Sequence, residues 1–106
     1  MKNKSLKHKP ELHEIFEKHD GEFLKFDRIL QKHSNRPDVH AFILLDKLVP
    51  GAGRIIGYAE HDEIGLSIEL AELAKAATEE QIIELIRCGV TLSTDGSGDY
   101  VLKKFV

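Results

Sequence analysis

The chain has 106 residues, with 42% hydrophobic and 31% charged residues and a formal net charge of −3. That length suits one domain with a single hydrophobic core, and the apolar content is too high for a disordered tail. One cysteine, Cys88, excludes an internal disulfide and any site built from two thiolates of the same chain.

Residues 1–9 read as a flexible basic arm in which Leu6 is the one strongly apolar side chain after Met1. No apolar stretch of signal-peptide type follows it. The longest strongly apolar run, Ala41 to Leu45, is far shorter than the roughly 20 residues needed to span a bilayer. These features predict a soluble, cytoplasmic protein without a membrane-bound segment. Charge is divided along the chain, with eleven basic against eight acidic residues before Ile55 and four against ten from Ile55 onward. Such a division could steer a partner.

Residues 10–106 are expected to form a single small α+β domain. Pro10 suits a first helical turn, and Leu12, Ile15, Phe16 and His19 follow at helical spacing up to Gly21. A second helix is predicted over Glu22 to His33, burying Phe23, Phe26, Ile29 and Leu30. One long helix interrupted at Gly21 is an alternative, since a glycine costs only about 1 kcal/mol there. Ser34 or Asn35 is the expected cap of a third helix, Asp38 to Leu48, with Pro37 in its first turn and Val39, Phe42, Ile43, Leu45 and Val49 on its apolar face. A buried strand is the alternative for Phe42 to Leu45. Pro50-Gly51-Ala52-Gly53 ends that element.

From Arg54 the period changes to two. Ile56 and Tyr58 alternate, as do Ile64, Leu66 and Ile68, which predicts a β-hairpin over 55–60 and 64–68. A short helix is expected over 69–76. Thr78-Glu79-Glu80-Gln81 has the capping-box pattern and opens a helix carrying Ile82, Ile83, Leu85 and Ile86 until Gly89. Val90 to Ser93 and Tyr100 to Val106 read as a C-terminal hairpin joined by Asp95-Gly96-Ser97-Gly98-Asp99. About three helices, a hairpin, a short and a capped helix, and a second hairpin define the α+β class. A winged-helix-like arrangement is a minor alternative with the same ingredients.

The residues that carry chemistry are scattered. Glu60, His61, Asp62 and Glu63 offer four consecutive oxygen and nitrogen groups that suit a metal or a protein partner. Adjacent strand residues point to opposite faces, so their adjacency does not make them converge. The other histidines follow no metal-ligand spacing, although His33 and His40 flank a turn and could approach each other. Cys88, at a helix end beside an apolar face, reads as a small hydrophobe and not a nucleophile. Gly51, Gly53 and Gly57 lack the context of a dinucleotide fingerprint, and Asp95 to Asp99 lacks a full calcium ligand set.

The last strand, with Tyr100, Leu102 and Phe105, is expected at a sheet edge, where it could add to another chain or be protected by Lys103 and Lys104. Basic residues of the arm and first helices are interleaved with Glu11, Glu14, Glu17, Asp20, Glu22 and Asp27, which argues against nucleic-acid binding. The expectation is therefore a non-enzymatic interaction or accessory domain with a protein partner or a second copy of itself, no cofactor and no catalytic residues. A small metal-assisted hydrolase at 60–63, with Asp46 or His40 assisting, and a weak nucleic-acid binder are the alternatives.

Overall fold

A computed structural model describes residues 11–105. The arm at 1–9, Pro10 and Val106 lie outside the described residues. Among the described residues four α-helices stand with a four-stranded antiparallel sheet: α1 Leu12–Lys18, α2 Pro37–Leu48, β1 Ile56–Ala59, β2 Glu63–Leu66, α3 Leu70–Ala76, α4 Glu79–Arg87, β3 Val90–Thr94 and β4 Tyr100–Phe105. The sheet order is β1-β2-β4-β3. This is the expected α+β class. No helix among the described residues is long and apolar enough to cross a membrane.

The capped helix forms as its sequence dictates. The Gln81 backbone N–H donates to Thr78 Oγ1 at 3.2 Å, and the Thr78 N–H donates to Gln81 Oε1 at 2.9 Å. Such a cap contributes about 1 kcal/mol. The apolar stripe of α4 buries Ile82, Ile83, Leu85 and Ile86. The chain leaves the helix through Gly89, which sits at φ 93°. A Cβ there would meet only the end of the half-exposed Leu24 side chain, which can move aside, so it is the backbone conformation that requires glycine.

The helix expected over Glu22 to His33 does not form. Two single 3₁₀ turns, Asp20–Glu22 and Phe26–Arg28, flank Leu24, which lies in the left-handed region at φ 64°. Its N–H donates to the C=O of Ile86 at the end of α4, 3.2 Å away. Glu22 accepts from Arg87 Nε at 2.9 Å and from Arg28 Nη1 at 3.0 Å. These links to α4 outweigh a local apolar spacing that any helix needs tertiary packing to exploit. Ile29 is buried as expected, but Leu30 is 96% exposed.

Helix α2 starts one residue before the expected boundary. Arg36 is its N-cap and makes no side-chain cap, so neither Ser34 nor Asn35 fills that role; Pro37 occupies the first turn. It buries His40, Ala41, Leu44 and Leu45, while Val39 remains exposed. One row of the sheet aligns Leu66, Leu102 and Leu92 across β2, β4 and β3, and the next aligns Ile64, Lys104 and Val90. Helix residues Ile15, Phe16, Leu45, Leu73, Ile82, Leu85 and Ile86 complete the core. Lys104 is buried within it and donates to the Phe105 C=O at 2.8 Å. Burial holds its amine below the usual lysine pKa.

Candidate functional site

The β1–β2 hairpin closes with the Glu60 N–H donating to the Glu63 C=O at 2.9 Å, which leaves His61 and Asp62 at the tip. Glu60, His61 and Asp62 are exposed. Glu63 instead turns onto the sheet, where its Oε1 accepts from Lys103 Nζ at 3.0 Å. That bond is the main reason the Lys103 amine sits above its usual pKa. The four adjacent residues thus split between a solvated tip and a cross-strand ion pair. Among the described residues no three His, Cys, Asp or Glu side chains are placed to hold a metal ion.

The expected edge strand is internal. β4 pairs with β2 on one side and β3 on the other, so its backbone groups are consumed within the sheet. Tyr100 stacks on His13 with ring centroids 5.0 Å apart, Leu102 is core, and Phe105 meets Phe23 edge-on at 6.1 Å. Lys103 and Lys104 therefore do not guard an edge. Hairpin spacing alone had marked β3 and β4 as partners; it carried no information about the return of β4 alongside β2.

The sheet ends instead on β1 and β3. All four residues of β1 are exposed, with Ile56 and Tyr58 each at 42%. The Tyr58 ring lies over Gly65 of β2, where a Cβ would fall 2.0 Å from the ring. Gly57 forms a bulge between the pairs Ile56↔Leu66 and Tyr58↔Gly65. The Ile55 C=O and the Glu60 N–H face β2. By the alternation of an antiparallel ladder, the N–H and C=O of Ile56 and Ala59 face outward.

His33 and His40 do meet, stacked with centroids 4.9 Å apart. His40 is fully buried, its Nδ1 accepts from the His33 backbone N–H at 3.0 Å, and its Nε2 lies 2.6 Å from Glu84 Oε2. An Nδ1 that accepts carries no proton, so Nε2 holds the proton and donates to the carboxylate. Both ring nitrogens are committed, and the pair serves to lock α2 to α4. Glu84 was not legible as its partner because 44 residues separate the two. An open cleft of about 850 Å³ lies beside this pair, and its wall mixes Arg28, Lys32, Lys47 and Arg87 with Glu80 and Glu84. Arg28 and Arg87 are already paired with Glu22.

Two further candidates are structural. Cys88 is fully buried, and burial pushes its thiol pKa up to about 12, so it is a neutral thiol at ordinary pH. Asp95 spends one carboxylate oxygen on its own turn, accepting from the Ser97 N–H at 2.8 Å, the Ser97 hydroxyl at 2.6 Å and the Asp99 N–H at 3.2 Å. The Ser97 bonds hold that carboxyl below its usual range.

No protein family, curated protein or solved structure matches the chain at a significant level.

Proposed function

We propose that this chain is a non-enzymatic protein-interaction module that takes an extended partner segment along the free edge of β1. The observation that carries the reading is the exposed strand at the sheet's end, with outward backbone groups at Ile56 and Ala59 and partly exposed apolar side chains at Ile56 and Tyr58. Strand addition uses such backbone groups for affinity and the alternating side chains for specificity. The strand's length of four residues and the bulge at Gly57 limit pairing with arbitrary chains. Glu60, His61 and Asp62 at the adjoining tip would supply a polar rim.

The alternatives lack comparable support. The hairpin carboxylates do not converge, which disfavours metal-assisted hydrolysis at 60–63. From β2 onward the strand-helix-helix-hairpin order has the connectivity of a winged helix. The outward residues of α4, however, are Glu79, Glu80, Gln81, Glu84 and Arg87, an acidic set that would repel phosphates.

The test is retention of partners from the native cell's extract on the tagged chain, compared with Ala59→Pro and Ile56→Lys. Proline at residue 59 removes an N–H that faces solvent and leaves the β1–β2 ladder bonds in place. Binding to the wild type that both variants lose, at unchanged thermal stability, is the expected result. Equal retention by all three, or nothing retained by the folded wild type, would overturn the proposal.

A further inference from the structure

The opposite edge of the sheet carries a second surface with its own chemistry. A cavity of about 340 Å³ opens between α1 and β3, with Phe16, Phe23, Ile86 and Val90 among its lining residues. Glu17 and Asp20, both exposed, also line it. Neither forms an ion pair among the described residues, and Lys18 between them is engaged with Glu79 at 3.1 Å. The volume is at the small end of the roughly 300–1,000 Å³ seen for ligand sites. It has room for one large apolar side chain.

The backbone next to the cavity is also available. The Gly89 C=O accepts from the Phe105 N–H, and the Asp95 N–H donates to the Asp99 C=O, so odd-numbered residues of β3 face β4. Leu92 and Thr94 therefore direct their N–H and C=O groups outward, whereas Val90, which alternates with them, is fully buried. Among the described residues no other strand pairs with β3. An apolar hole, two carboxylates without an ion pair among the described residues, and the outward backbone groups of Leu92 and Thr94 coincide on one edge.

We infer that this edge binds an extended segment of a partner protein. Its large apolar side chain fills the cavity, and the lysine or arginine residues beside it face Glu17 and Asp20. The charge of the rim selects the partner: two carboxylates oppose an acidic segment and favour a basic one. The surface is separate from the β1 edge and does not depend on the function proposed there.

The test is an NMR titration of the ¹⁵N-labelled full chain with an acetylated, amidated heptapeptide of central leucine flanked by lysines. The control peptides carry glutamate for lysine or alanine for leucine. The lysine–leucine peptide is expected to shift amides of Phe16 to Asp20 and Thr91 to Thr94, and to bind at least ten-fold tighter than either control. Glu17→Gln/Asp20→Asn should cost a similar factor while leaving thermal stability unchanged. No binding, equal binding of the acidic peptide, or shifts confined to other surfaces would overturn the inference. Leu6 of this chain stands among Lys4, Lys7 and Lys9 and has the same chemistry. If Leu6→Ser perturbs the same amides and tightens peptide binding, the occupant is the chain's own arm and the partner assignment falls.

Discussion

His40 is the residue whose replacement most directly tests the packing of α2 on α4. Its ring is fully buried, stacks on His33, meets Phe26 edge-on at 5.8 Å and bonds at both nitrogens. Truncating a buried ring to a methyl group costs about 3–5 kcal/mol. The His33 N–H and the Glu84 carboxylate lose their partner as well, which adds roughly 1 kcal/mol or more each where water does not replace it. Glu84 retains 27% side-chain exposure, so water offsets part of its loss. We therefore expect His40→Ala to lose about 5 kcal/mol in urea unfolding, which for a domain of this size lowers Tm by roughly 20–40 °C. His40→Asn keeps an acceptor near the Nδ1 position, and His40→Gln keeps a donor near Nε2. Each should lose less than the alanine variant. In a double-mutant cycle, Glu84→Gln should couple strongly to His40→Asn, which removes the donor to Glu84, and weakly to His40→Gln, which keeps it. Two-bond ¹H–¹⁵N spectra should show the Nε2–H tautomer at neutral pH. A His40→Ala variant within 1 kcal/mol of wild type, or an Nδ1–H tautomer, would refute this reasoning.

Three other outcomes follow from particular groups. Because the folded state raises the Cys88 pKa, it keeps a proton that the unfolded chain releases above about pH 9. Stability is therefore full below that pH and falls by about 1.4 kcal/mol per unit as pH rises toward 12, a slope that Cys88→Ala should remove when both proteins are unfolded in denaturant at pH 8.5 to 10.5. Glu22 has its pKa lowered, first by Arg87 and then by Arg28, against the opposing effect of burial. Its contribution is present above the ordinary glutamate pKa of 4.5 and is lost as pH falls through its lower folded value, so Glu22→Gln should be flatter than wild type in acid unfolding below pH 4.5. Leu30→Lys should change stability by less than about 0.5 kcal/mol, since the side chain is exposed; a loss of 2 kcal/mol or more would instead support a buried helical face over Glu22 to His33.

What sequence alone determined was local. The capping box at Thr78 to Gln81, the apolar stripe of α4, the glycine after it and the alternation in both hairpins each depend on residues within a few positions of one another. They placed α4, α3 and the four strands to within a residue or two. Cys88 was also legible, because a thiol on an apolar helix face near a C-terminus has few other roles. The tertiary structure decided the rest. Leu24 takes up a left-handed conformation to reach the Ile86 carbonyl, and Glu22 gathers Arg28 and Arg87, so the segment between α1 and α2 has no helix despite its spacing. β4 lies between β2 and β3, which moved the free edges to β1 and β3 and took Tyr100, Leu102 and Phe105 out of the candidate surface. His40 finds Glu84, and Glu63 finds Lys103, 40 residues away. Periodicity reports which side of an element is apolar. It does not report which element covers that side, because strand order and long-range pairing depend on how the whole chain closes its core.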